Sequence, residues 1–141
     1  MKRVYVAATE QNAGKTTVCL GLYRAAQSRG YDIAFIKPVG QRFIVEEGEK
    51  VDEDAVLFKK ALAAEGLLKN LNPVSIPRGF TRHYIFHRDP KNIRQKIQEA
   101  FNSLGQDHDL AIIEGTGHAG VGSCFGLSNA CMSRVSFPGP G

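Results

Sequence analysis

Thr9-Glu10-Gln11-Asn12-Ala13-Gly14-Lys15-Thr16-Thr17 decides how this chain folds. It follows directly on the apolar run Val4-Tyr5-Val6-Ala7-Ala8 and leads directly into a helical pattern. A strand, a loop and a helix in that order form the setting of a phosphate-binding P-loop. Gly14 lets the backbone come close to an anion, and the amides of the loop and of the helix N-terminus point at the phosphates. On this reading residues 9–17 cradle a nucleotide. Lys15 reaches its β- and γ-phosphates, and the Thr16 hydroxyl takes a Mg²⁺ coordination position. Thr9 stands where the usual G-x-x-x-x-G-K-[ST] signature has glycine. The plainer alternative is an ordinary strand-turn-helix with Lys15 solvated in the first turn.

Working outward, the first half reads as a β-α-β unit. Val18, Leu22, Ala25 and Ala26 recur at helical spacing, and Gly30 fits the stop. Ile33-Ala34-Phe35-Ile36 is a second short apolar run. Neither run alternates, as expected of parallel strands covered on both faces, and the crossover between them should be right-handed. Lys37 precedes Pro38 and so stands at a strand's carboxyl end, the edge where open α/β sheets bind ligands. A loop is expected next, with Glu46, Glu47, Glu49 and Lys50 in its polar part. A second helix is expected from near Asp52 to about Glu65. Ala55, Phe58, Leu62 and Ala63 form its apolar side, and Gly66 is placed to stop it.

Pro73, Pro77 and Gly79 break periodicity in residues 67–88. Arg78-Gly79-Phe80-Thr81-Arg82-His83-Tyr84 reads as a loop or flap. Arg78 and Arg82 could grip an anionic substrate there or simply face solvent. Asp89-Pro90 is a good N-cap and N1 pair. Ile93, Ile97, Phe101 and Leu104 mark a third helix, with Gly105 as its stop. Asp109-Leu110-Ala111-Ile112-Ile113-Glu114 is a third strand, and its terminal carboxylate suits an element that orients Mg²⁺. A glycine-rich loop, residues 115–122, follows; Gly117 and His118 in it are candidates for touching substrate or phosphate.

The chain has 141 residues, 43% hydrophobic and 23% charged, which suits one globular domain with a real core. No stretch approaches the about 20 apolar residues of a membrane span, and the start lacks a signal-peptide pattern, so a cytoplasmic protein is expected. The net charge of +4 comes from scattered lysines and arginines. No aromatic-basic repeat or zinc-finger spacing points to nucleic acid. Cys19, Cys124 and Cys131 lack C-x-x-C spacing and read as reduced thiols. His83, His87 and His108 lack ligand spacing. Residues 133–141 carry neither strand nor helix period, and residues 1–130 are read as the domain with 131–141 as an irregular tail. Three parallel strands would leave an apolar edge on the first of them, which points to a domain incomplete at its C-terminus.

Four segments in order carry a family resemblance: residues 9–16, Lys37-Pro38-Val39, Asp52-Glu53-Asp54-Ala55 and Glu114-Gly115-Thr116-Gly117. Together they resemble the dethiobiotin synthetase-like group of P-loop proteins, with the related N-terminal domains of phosphotransacetylases and the cobyrinic acid a,c-diamide synthase-type amidotransferases. The resemblance implies a three-layer α/β P-loop NTPase fold with a mostly parallel sheet. It implies ATP and Mg²⁺, a small carboxylate substrate and a possible homodimer. Lys15 would bind the phosphates, and Thr16, Asp54 and Glu114 would hold Mg²⁺. Lys37 would stabilise the transferring phosphoryl group or the substrate's carboxy or carbamate group. Capping alone would favour Asp52 over Asp54, as the residue that starts the helix. Residues 78–82 depart from the group's substrate-facing loop. The activity implied is ATP-dependent activation of a carboxylate or carbamate by phosphoryl transfer. A nucleotide-binding regulatory module and an inactive truncated fragment are the alternatives.

Overall fold

The computed structural model describes residues 1–46, 48–62, 68–76, 90–104, 107–117, 123 and 126–134, without the side chains of residues 90, 91 and 134. The expected flap at 78–84 with Arg78 and Arg82 lies outside the described residues. So do Ala63, Glu65 and Gly66, expected to end the second helix, and Gly105, His118, Cys124 and residues 135–141.

The described elements run β1 (Lys2–Val6), α1 (Lys15–Gln27), β2 (Ile33–Ile36), β3 (Val39–Gly40), β4 (Phe43–Glu46), β5 (Glu49–Asp52) and α2 (Glu53–Leu62). They continue with α3 (Leu68–Leu71), β6 (Val74–Ser75), α4 (Pro90–Ser103), β7 (Leu110–Glu114) and α5 (Asn129–Arg134). The three apolar runs form one parallel sheet in the order β1-β7-β2. Ile112 of β7 is in register with Val4 on one side and Phe35 on the other. Among the described residues β1 is an edge strand, and its Val4 is 39% exposed.

Alternate residues of the sheet feed two cores, which makes the fold three layers. Ile112, Ile33 and Phe35 face α1 and α2, where they meet Cys19, Tyr23, Phe58 and Leu62. The rings of Phe35 and Phe58 stack at 3.5 Å between centroids, and Tyr23 meets Phe58 edge-on at 6.3 Å. Ala111, Ile113, Ala34 and Ile36 face the other way, against Ile97 and Phe101 of α4 and Met132 of α5. This is the three-layer, mostly parallel α/β P-loop architecture.

Three expectations need correction. The buried stripe of α1 is Lys15, Cys19 and Tyr23, while Val18 and Leu22 are 52% and 40% exposed. Lys15 must face the sheet end, and residues four and eight positions on share its side of the helix. The polar stretch after Gly40 is an antiparallel hairpin of β4 and β5, which pairs Ile44 with Val51; Gly48 supplies a positive φ of 78° in its turn. Finally, α5 crosses the boundary expected at residue 130. The Ser128 hydroxyl accepts a hydrogen bond from the Cys131 amide and caps that helix.

Beyond Pro38 the line of β2 resumes as β3, which pairs in parallel with β6. The Lys37 amide donates to the Leu71 carbonyl at 2.8 Å, so the backbone at Lys37 is held although regular pairing has ended.

Candidate functional site

The P-loop turns on two left-handed residues, Asn12 with φ 61° and Gly14 with φ 81°. A Cβ added at Gly14 would meet nothing within 4 Å, so the backbone conformation, not crowding, demands glycine there. Gly14 is also the N-cap of α1, and its carbonyl accepts the helix's first bond from the Val18 amide. The helix N-terminus thus opens towards the carboxyl ends of β2 and β7.

A cavity of ≈ 190 Å³ lies at that junction. Gln11, Asn12, Gly14, Lys15, Thr16 and Thr17 form one wall. Lys37, Asp54, Glu114 and Gly117 stand in the other. Thr9, Glu10 and Ala13 belong to the exposed part of the loop and do not line the cavity. The sequence reading missed Gln41, Arg42 and Thr116, and used Asp52 only as a possible cap; all four line the cavity. Arg42 reaches from the start of the hairpin to Asn12 Oδ1 at 3.0 Å and so braces the P-loop.

The two lysines are anchored on protein acceptors. Lys15 is buried, and its Nζ donates to the Gly117 carbonyl at 2.8 Å. Lys37 Nζ donates to Asp52 Oδ1 at 2.8 Å and to Asp54 Oδ2, and Glu114 Oε1 lies 3.6 Å away. Burial pulls the Lys37 ammonium down, but Glu114, Asp52 and Asp54 outweigh it and hold it above the ordinary lysine range. Glu114 is pushed up. Burial is the main cause and Asp54 adds to it, against the opposing effects of Lys37 and the Thr16 hydrogen bond.

Asp52 and Asp54 divide two tasks. Asp52 is 1% exposed and fully engaged: Oδ2 accepts from the amides of Gln41 and Arg42, and Oδ1 from Lys37 and the Asp54 amide. It therefore caps α2 and ties the hairpin to Lys37. A Cβ at Gly40 would come within 2.5 Å of Asp52, so only glycine lets this carboxylate seat. Asp54, in the first turn of α2, keeps 27% of its side chain exposed on the cavity side.

Behind the cavity a buried asparagine sets the path of the chain after β7. Asn129 Oδ1 accepts from the Thr116 amide at 3.0 Å and the Tyr5 hydroxyl at 3.1 Å, and its Nδ2 donates to the Thr116 carbonyl at 3.2 Å. Gly115 leaves room for it, since a Cβ there would lie 2.7 Å from Asn129 Oδ1.

Among the described residues no group of three or more His, Cys, Asp and Glu side chains is set to hold a metal ion. The mixed set of Thr16, Asp54 and Glu114 nevertheless fits Mg²⁺. Thr16 Oγ1 donates to Glu114 Oε1 at 2.9 Å, and Glu114 Oε2 is buried without a hydrogen-bond partner among the described residues. Mg²⁺ prefers such hard oxygens and completes its shell with water and phosphate.

A family model described as an AAA domain matches residues 2–134. The ATP-dependent dethiobiotin synthetase of Caldicellulosiruptor saccharolyticus is 31% identical over 129 residues, 86% of this chain and 50% of the relative. A probable cobyric acid synthase of Methanococcus voltae is 31% identical over 136 residues, 82% of this chain and 58% of the relative. The ATP-dependent dethiobiotin synthetase of Aromatoleum aromaticum is 31% identical over 114 residues, 80% of this chain and 51% of the relative. The chain thus spans about half the length of the curated relatives it matches. With its P-loop, its acidic strand end and a match over nearly its whole length, the chain belongs to the AAA domain family, within the dethiobiotin synthetase-like group of P-loop proteins.

Proposed function

We propose that this chain binds Mg-ATP and transfers the γ-phosphoryl group to an oxygen of a small carboxylate or carbamate. The supporting observation is the convergence of Lys15, the Thr16–Glu114 pair and the Lys37–Asp54 pair on one cavity. Phosphoryl transfer is mainly positioning and charge neutralisation. Lys15 turns from the Gly117 carbonyl to the phosphates, and the loop amides cradle them. Thr16, Asp54 and Glu114 would hold Mg²⁺, which supplies positive charge beside the phosphate oxygens when bound. Lys37 faces the acceptor and the transferring group. A carboxylate acceptor arrives without a proton, so the transfer needs cations and not a base. Its oxygen bonds to Pγ as the bond from Pγ to the β-bridging oxygen breaks, giving ADP and an acyl or carboxy phosphate. Arg78, Arg82, Gly117 and His118 are the proposed acceptor contacts.

The test is Mg-ATP turnover with ¹⁸O-labelled bicarbonate (with an alkyl diamine as nucleophile), acetate and succinate in turn. The proposal expects ADP release that depends on one acceptor class, with label passing from the acceptor into the phosphate. ADP release without transfer of label would mean attack by water and would overturn the reading. Tight binding with no turnover would leave a nucleotide-binding regulatory module instead.

A further inference from the structure

We propose that the Lys37 ammonium and a divalent cation compete for Asp54 and Glu114, so that cation binding frees Lys37 from these two carboxylates and turns it towards the nucleotide cavity. This rests on the Mg-ATP site proposed above and adds an order of events to it. Lys37 Nζ is bonded to Asp54 Oδ2 and lies 3.6 Å from Glu114 Oε1, and these are two of the three side chains that fit the metal. Two cations sharing so small a carboxylate pair repel each other strongly in a buried site. The entering ion has a place to start: Glu114 Oε2 has no hydrogen-bond partner among the described residues, and Asp54 is the more exposed carboxylate of the cluster.

Asp52 is excluded from this exchange. Four donors already fill its two oxygens, so it stays put and keeps one hold on Lys37. The Lys37 backbone is equally fixed. Its amide is bonded to the Leu71 carbonyl and its carbonyl accepts from Asn72 Nδ2, both at 2.8 Å. Only the four-carbon stem has to move, and it already lines the cavity. Lys37 then serves as a positioning group for the acceptor only after the metal-nucleotide has bound. Nucleotide should therefore precede acceptor.

The experiment is a titration of Mn²⁺ alone, without nucleotide, followed by electron paramagnetic resonance. Lys37→Met should bind Mn²⁺ about tenfold more tightly than the parent, within the range usual for coupled sites. Equal or weaker binding in the variant, or no binding to either protein, overturns the proposal. Should Lys37→Met fail to fold, the parent decides. Its Lys37 ¹⁵Nζ resonance, assigned with Lys37→Arg, should shift on saturation with Mg²⁺ and stay unmoved in Asp54→Asn. A parent resonance that Mg²⁺ leaves unchanged overturns it as well. Loss of Mg-ATP binding in Lys15→Ala alongside an unmoved Lys37 signal would reject the competition and keep the nucleotide site.

Discussion

The Thr16 hydroxyl donates to Glu114 Oε1 across 2.9 Å, joining two residues 98 positions apart. The first turn of α1 is thereby locked to the end of β7 before any ligand arrives. In the proposed reaction this pair would hold its oxygens in place for Mg²⁺.

Glu114 should limit stability near neutral pH. Burial first, then Asp54, raise its carboxyl in the folded protein. Glutamate in an unfolded chain titrates near ~4.3. The folded state therefore holds the proton to higher pH, and stability falls as pH rises from about 4.3 upward through the folded value. Glu114→Gln keeps a partner for Thr16 and removes that loss. Urea titrations at pH 7 should find the variant at least as stable as the parent, with a flatter pH profile. Lower stability at pH 7 would contradict this.

Lys37 has the opposite sign. Burial lowers it, but three carboxylates raise it further. Its contribution is fully present below the unfolded value of about 10.4 and is lost as pH climbs through the folded one. Lys37→Met leaves Asp52 and Glu114 buried with no cation between them and should cost about 3–5 kcal/mol. Denaturant unfolding at pH 7 measures it; a cost within experimental error of zero would rule out the ion cluster.

Asn129 should matter more than a polar residue near the chain's end suggests. Asn129→Ala removes the partner of the Thr116 amide, the Thr116 carbonyl and the Tyr5 hydroxyl. A buried polar group left without a partner costs ~1–3 kcal/mol, so a loss of about 3 kcal/mol or more is expected in the same unfolding measurement. A loss under about 1 kcal/mol would show that the network is dispensable.

Cys19 should be a silent thiol that reports unfolding. It is fully buried, and its pKa is pushed up to about 12, by burial first and then by Glu114. Thiolate is the reactive form. With Cys124 and Cys131 replaced by serine, a thiol reagent at pH 8 should react only as denaturant unfolds the chain. Fast labelling of the native protein would contradict the packing beneath α1.

The P-loop and the acidic end of β7 were legible because each is a local pattern: a turn between strand and helix, and an apolar run closed by a carboxylate. The helix of Ile93, Ile97, Phe101 and Leu104 was legible for the same reason. The buried face of α1 was misread by one residue because small apolar residues fall on both sides of that helix. Which side is buried is decided by where Lys15 points. The β4–β5 hairpin has no Asn-Gly or Asp-Gly turn to announce it, and its exposed Val45 and charged ends resemble a loop. Asn129 and Arg42 carried no signal at all, since their roles depend on partners, Tyr5 and Asn12, brought near only by the fold. Asp52 and Asp54 were both visible, and they differ in engagement: both line the cavity, but Asp52 caps and tethers while Asp54 keeps part of its carboxylate exposed there.

The most direct measurement is calorimetric binding of Mg-ATP to the parent and to Lys15→Ala. Saturable binding by the parent and a loss of about 1.5–3 kcal/mol or more in the variant are expected, the usual value of hydrogen bonds to charged groups. Equal affinity of the two proteins for Mg-ATP would contradict it.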